Sequence, residues 1–169
     1  MDDFLPSIID VEASGFGAQS YPIEIGVVRH DGARFCKLII PLSDWTHWDE
    51  EAEALHGITQ SQLHQYGNHP IDVCHELNEF VGQATMHSDG WVVDQPWLSK
   101  LYASAGIAMT FRLSPLESLL REQHILRWDD VKKDVVREYG GSRHRASVDA
   151  MIIQQTYARV MKVAKLAVN

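Results

Sequence analysis

The amino-acid sequence predicts an α/β fold built on a mixed sheet. Three observations carry this. Apolar, β-branched runs crowd the chain between Leu5 and Leu42, a hairpin turn signal divides two of them, and the rest of the chain alternates helical periodicity with two shorter apolar runs.

The run LPSIIDV from Leu5 to Val11 is apolar, and Ser14-Gly15-Phe16-Gly17 then supplies turn residues, so a buried strand ends in a loop. Pro22 to His30 and Ala33 to Leu42 are the next strands. Asp31-Gly32 between them is a strong hairpin signal and makes the two antiparallel neighbours. Past Pro41 the pattern turns helical, with Asp49 to Leu55 and then Thr59 to Tyr66, Thr59 serving as N-cap and Gly57 parting the two. Pro70 opens a clearer helix in which Ile71, Cys74, Leu77, Phe80 and Val81 make one buried stripe, ending near Gly82. A short run, Ala84 to His87, leads into Trp91 to Ala105, where Trp97, Leu98, Leu101 and Tyr102 have helical spacing; a strand hands over to a helix near Asp94. Met109 to Leu113 reads as one more strand. Asp129 to Tyr139 and Ala146 to about Ala164 read as helices, with Gly140-Gly141 stopping the former. No repeat, low-complexity tract or linker interrupts the chain, so one domain over 1–169 is expected.

The composition, 45% hydrophobic and 22% charged over 169 residues, suits one substantial core. No stretch approaches the ~20 apolar residues that span a bilayer. The start MDDFLPSIID lacks a basic leader and an apolar signal core, so a cytoplasmic protein with no membrane partner is expected. Cys36 and Cys74 have no zinc-site spacing and are read as reduced core thiols. A net charge of -8 argues against a protein that coats DNA, which needs clustered Lys and Arg. It leaves room for an enzyme that gathers carboxylates around divalent cations, because bound metals reverse the charge a phosphate meets.

Asp10 and Glu12 are one residue apart on an extended strand, so their side chains share a face and can converge on one cation. Such a pair is more often a solvated surface feature. Its place sets it apart: both acids terminate an apolar strand, where an unpaired carboxylate is costly and ligands are commonly bound. Asp94 lies between Val92-Val93 and Trp97-Leu98, and Asp149 lies in the apolar-faced segment RASVDAMIIQQTY. Each alone has an ordinary reading, Asp94 as a helix N-cap near Pro96 and Asp149 as a polar position on an amphipathic helix. His144, just after Gly140-Gly141-Ser142, is able to hang over a site that Asp149 enters from its helix.

Together these residues form an ordered pattern. Asp-x-Glu in DVEASGFG, an Asp followed by an aromatic-Leu pair in WVVDQPWL, and His-x-x-x-x-Asp in HRASVDA resemble the three motifs of the DEDDh branch of the 3'-5' exonuclease superfamily. EAEALHGIT is similar to a further segment of that family between the first two motifs, and the resemblance covers nearly the whole chain. Two departures are local. The family carries His-Asn-Ala shortly before a Phe-Asp pair, whereas this chain reads His87-Ser88-Asp89-Gly90-Trp91-Val92-Val93-Asp94, without the Asn and with room for one inserted residue.

The resemblance implies a ribonuclease-H-like fold, a central five-stranded mixed sheet with one antiparallel strand, flanked by helices. It implies two divalent ions, Mg²⁺ or Mn²⁺, held by Asp10, Glu12, Asp94 and Asp149. Asp10 would touch both ions, Glu12 and Asp149 would complete the site of the attacking water, and Asp94 would serve the second ion. Oxygen-only ligation favours these cations over zinc, and His144 would be the general base. Ala13, Ser14, Gly15, Phe16 and His56 would contact the terminal nucleotide. Phe16 is equally open to base stacking and to ordinary packing, as are Trp45, Trp48 and Trp91. The implied activity is 3'-5' hydrolysis of single-stranded DNA or RNA to nucleoside 5'-monophosphates, with nucleic acid bearing a free 3' end as partner. A homodimer is a further partner state that many relatives adopt. The alternatives are an accessory subunit of the same fold, non-catalytic or weakly active, and a metal-dependent endonuclease or phosphoesterase. Without substrate, His144 on its loop is expected to be able to turn away from the site.

Overall fold

The computed structural model describes residues 4–139 and 144–166. The glycines that were expected to stop a helix at 140–141, and the ends of the expected 1–169 domain, lie outside the described residues. Strands β1 (Ser7–Ala13), β2 (Pro22–Val28), β3 (Arg34–Leu38), β4 (Thr85–Ser88) and β5 (Arg112–Pro115) form one sheet in the order β3-β2-β1-β4-β5. β2 runs antiparallel to β1 and β3, while β1, β4 and β5 are parallel, which is the mixed five-stranded sheet expected.

Alternation along β1 and β2 assigns each side chain to a face. Ile9, Val11 and Ala13 join Ile23, Ile25 and Val27 in the larger core, under α3 (Pro70–Val81) and α4 (Trp91–Ala105). Ile8 and Val28 point the other way, into a smaller core with Ala150, Ile153 and Tyr157 of α6 (Ala146–Leu166). Asp10 and Glu12 share the face of Ile8, and their partners across the β1–β2 ladder, Gly26 and Glu24, share the face of Val28. One face of the sheet therefore changes from apolar to acidic within a few residues, and α6 lies over it.

α6 is held at two places. Gln154 donates from Nε2 to the carbonyls of Pro6 and Arg29, at 2.9 and 3.0 Å, tying mid-helix to the adjoining ends of β1 and β2. Near its start, the helix backbone comes so close to β2 that a Cβ on Gly26 would lie 2.1 Å from the Ala146 carbonyl carbon. α1 (Glu50–His56) begins at an Asp49 cap, and α2 (Gln60–Tyr66) begins with the expected Thr59, whose capping box with Gln62 satisfies two amide donors.

Four local readings are corrected. In α3 the buried stripe is Pro70, Val73, Cys74, Leu77 and Val81, and Ile71 is exposed, because it lies about 100° around the helix from Pro70. Cys36 is exposed, since β3 is an edge strand and Phe35 takes the core side, whereas Cys74 is buried as expected. The last strand is Arg112–Pro115 instead of Met109–Leu113, and a 3₁₀ turn, Leu116–Leu119, follows it. α5 spans Glu122–Glu138 and not Asp129 to Tyr139. Its first turns carry Ile125 and Leu126 on the solvent side, which blurs the buried face of His124, Trp128 and Val135. No helix among the described residues is long and apolar enough to cross a membrane.

Candidate active site

The five residues singled out by pattern meet at the carboxyl ends of the parallel strands β1 and β4, where open α/β sheets bind ligands. Asp10 and Glu12 come from β1. Asp94 does not cap its helix but sits in the first turn of α4, which starts after Gly90, and it is 2% exposed. The Ser88 hydroxyl donates to its Oδ2, and the Val11 amide, lying between the two β1 acids, also favours its charge. Asp149 is in the first turn of α6, and its Oδ2 accepts the His144 amide at 2.9 Å.

The electrostatics record the same convergence. Burial first, then Asp94, Glu12, Asp149 and Asp89, hold Asp10 well above the usual carboxylate range. Burial followed by Asp149, Glu24 and Asp94 pushes Glu12 up to about 8, with Arg145 opposing. Asp94 is pushed up to about 7, again mainly by burial, with Asp89 adding to it and the Ser88 hydrogen bond opposing. Carboxylates that strain one another in this way are matched by a divalent cation.

A measurable consequence follows with a definite sign. These carboxyls hold protons more tightly in the folded chain than in the unfolded one, where the reference values are about 3.9 and 4.3. Their protonated form therefore favours folding. The metal-free protein should lose stability as pH rises from about 4 through the raised value of about 8 at Glu12. Cations displace those protons, so Mn²⁺ should raise the melting temperature more at pH 8 than at pH 6. Thermal melts with EDTA and with Mn²⁺ check this, and a metal-free melting temperature that climbs from pH 6 to pH 8 would contradict the cluster.

His144 does not turn away. One ring nitrogen lies with a carboxylate oxygen each of Glu12 and Asp149, all three within 4.8 Å of one another. Its backbone has φ 62°, a left-handed conformation uncommon outside glycine, and this places the ring on the carboxylate side just ahead of α6.

The turn after β1 is more tightly built than its sequence suggested. Ser14 is fully buried and its hydroxyl is committed, accepting the Tyr21 amide at 3.1 Å and lying 3.3 Å from His47 Nδ1. Gly15 packs so closely under the following segment that a Cβ would lie 2.6 Å from the His47 ring. Ala13 is buried beside a register shift at the end of β1. Phe16 projects, 67% exposed, with its ring centroid 6.2 Å from Trp97. His56 is buried at the end of α1; its Nδ1 accepts the Ile58 amide, which leaves Nε2 as the protonated nitrogen. Trp45 is core, stacked on Tyr21. Trp48 donates to Glu53, and Trp91 is partly exposed.

Four residues near the site carried no signal of their own in the motif pattern. Ser88 orients Asp94 and accepts the Gly90 amide, in the stretch where the resembled family has Asn. Asp89 adds a fifth negative charge and is paired with Lys132 of α5 at 2.5 Å. Glu24 and Arg145 form an ion pair beside Glu12. For Glu24 a signal existed: it is a lone acid inside PIEIGVV, and a buried charge demands a partner.

No family model matches the chain, and no curated protein does. Solved structures do. E. coli exonuclease I in complex with a 5cy-dT13 oligonucleotide is similar over 90% of this chain and 40% of its own length, with a TM-score of 0.67 and 13% identity. The moderately thermophilic exonuclease I from Methylocaldum szegediense matches 75% of this chain and 30% of its own, with a TM-score of 0.59 and 13% identity. E. coli exonuclease I in complex with a dA16 oligonucleotide gives 78%, 30%, 0.58 and 12% on the same measures. The chain thus spans less than half the length of the structures it matches. At this identity the likeness establishes architecture: the chain has the ribonuclease-H-like fold of exonuclease I, itself a member of the DEDDh branch that the sequence motifs resemble.

Proposed function

We propose that the chain is a metal-dependent 3'-5' exonuclease domain, spanning residues 1–169, that releases nucleoside 5'-monophosphates from single-stranded nucleic acid. The observation that carries this reading is the meeting of Asp10, Glu12, Asp94 and Asp149, from three separate elements, with the His144 ring among them. Four acids on one strand would be a surface feature; four brought together from three elements, with Asp10, Glu12 and Asp94 held above the usual carboxylate range, are a ligand set. Single-stranded DNA is the first substrate to test, because two of the similar structures hold such oligonucleotides.

Two divalent cations bound by these carboxylates would supply charge neutralisation on the phosphoryl oxygens and a more acidic water. The residues themselves have separable tasks. Asp10, Glu12, Asp94 and Asp149 hold the ions, and Ser88 fixes the orientation of Asp94. His144 accepts a proton of the attacking water as the water oxygen bonds to phosphorus and the P–O3' bond breaks; the departing 3' oxygen takes a proton from solvent, and the 3'-terminal nucleotide leaves as its 5'-monophosphate. The backbone of Ala13, Ser14 and Gly15 offers a rigid floor for the terminal nucleotide, and Phe16 offers an exposed ring on which a base stacks, a contact worth roughly 1 to 3 kcal/mol. His56, whose ring is close enough to the Ala13 backbone to be influenced by it, is the further candidate for contact with that nucleotide.

Matched single- and double-stranded DNA and RNA, labelled at the 5' end, test the reading with Mg²⁺ and with Mn²⁺. The expected result is a ladder shortening one nucleotide at a time. EDTA should stop it and added Mg²⁺ should restart it, and a 3' phosphate should block or strongly slow it. Efficient cutting of circular single strands would instead assign an endonuclease.

A further inference from the structure

Glu24 is 0% exposed, and it is not among the four acids assigned to metal binding. Its carboxylate is nevertheless fully used. Oε1 and Oε2 each accept from Arg145 Nε at 3.1 Å, Oε1 also accepts from Arg145 Nη2 at 2.6 Å, and Oε2 accepts the Ala146 backbone amide at 2.8 Å. The last bond satisfies one of the unpaired amides that open α6, and it puts a negative charge at the positive end of that helix. Two residues along β2, on the same face, Gly26 leaves room for the Ala146–Ser147 backbone to press against the strand. Glu24 and Gly26 together thus form a socket for the first residues of α6.

What that socket holds is decisive. His144 immediately precedes Arg145, and Asp149 follows in the first turn, its carboxylate reaching back to the His144 amide. The directly opposed ladder partner of Glu24 is Glu12, so the socket and the acid it serves are adjacent on one face of an antiparallel pair. We propose that Glu24 and Arg145 are positioning residues, which lock the His144–Asp149 segment at a fixed distance from Glu12 and Asp10. The pair spans 121 residues of sequence, joining the strand that neighbours the first motif to the third motif itself. Arg145 has a second effect: its charge offsets the like-charge crowding of Glu24 against Glu12.

The catalytic part of this proposal rests on the exonuclease reading above, so its test has one arm that reads activity and one that does not. Glu24→Gln keeps an acceptor for the Ala146 amide but gives up the doubly bonded Arg145. It should lower kcat roughly 10- to 100-fold, the cost typical of losing an outer-shell partner, with KM nearly unchanged. Amide hydrogen exchange at Ala146 to Asp149 should quicken in the same variant. Glu24→Leu paired with Arg145→Met removes both charges, so that no carboxylate is left buried without its partner, the half-exposed Arg145 guanidinium. That double variant should melt near wild type yet stay impaired in kcat. Recovery of wild-type kcat in the double variant would reduce the pair to charge compensation and overturn the positioning role. Unchanged exchange at Ala146 to Asp149 in Glu24→Gln would overturn it equally, even if the wild-type protein cut no nucleic acid at all. A wild-type protein without nuclease activity but with quickened exchange in Glu24→Gln would remove the exonuclease reading and leave the socket standing.

Discussion

Asp10→Asn is expected to remove nearly all nuclease activity while leaving the fold intact. Asp10 is the point where the cluster's fields add, since Asp94, Glu12, Asp149 and Asp89 all act on it. An Asn of the same shape keeps the packing but offers one neutral oxygen in place of a charge, so ions held in common by the remaining acids lose their central ligand. The loss should exceed the roughly 10- to 100-fold typical of an outer-shell change. The metal-free variant should also be more stable than wild type above pH 7, because one of the mutually repelling charges is gone. Single-turnover assays and melts in EDTA on the same preparation read both effects. Turnover within a few-fold of wild type at saturating Mg²⁺ would sink the assignment of this cluster as the catalytic centre.

His144→Ala should be the next largest loss, roughly 100- to 10,000-fold in single-turnover rate, the usual cost of removing a general base. The structure adds a complication, because a His144 nitrogen is close enough to Glu12 and Asp149 oxygens to share a cation with them. Mn²⁺ titration separates the two roles. A base should lower the rate and leave Mn²⁺ affinity nearly unchanged, whereas a ligand should lower both. A second variant guards against a backbone effect, since His144 occupies a left-handed conformation that Ala tolerates poorly. Asn accepts that conformation more readily, so His144→Asn should be as slow as His144→Ala if the ring matters. Near-normal turnover in His144→Asn would show that the backbone conformation was the requirement and that another group takes the proton.

The residues differ in how far their own sequence neighbourhood announced them. Strand alternation put Asp10 and Glu12 on one face, and the Asp31-Gly32 turn gave the β2–β3 hairpin, because both depend on residues next to one another in the chain. The order of the three motifs pointed to the common site of Asp94, His144 and Asp149, although each has an ordinary reading by itself. Cys74, Leu77 and Val81 of the α3 stripe were found, while Ile71 is exposed, Phe80 is half-buried and Val73 takes the core, because helical period is a local property and its phase was misjudged. α5 escaped in part because its exposed Ile125 and Leu126 carry hydrophobicity without burial.

By itself, the sequence determined which side chains share a strand face or a helix stripe, and the order in which the acids occur, since these follow from periods of two and 3.6 residues. Only the tertiary structure decided which distant groups touch. Glu24 with Arg145, Asp89 with Lys132 and Gly26 with the start of α6 are pairings between elements far apart in the chain. Local spacing carries no information about such pairs. They exist because packing α6 against the sheet and α5 against α6 buries charges and closes gaps, and each buried charge or close approach then requires a particular partner. Packing on the opposite face of the sheet decided the place of two aromatic residues, sending Trp45 into the larger core beside Tyr21 and leaving Phe16 exposed next to Trp97.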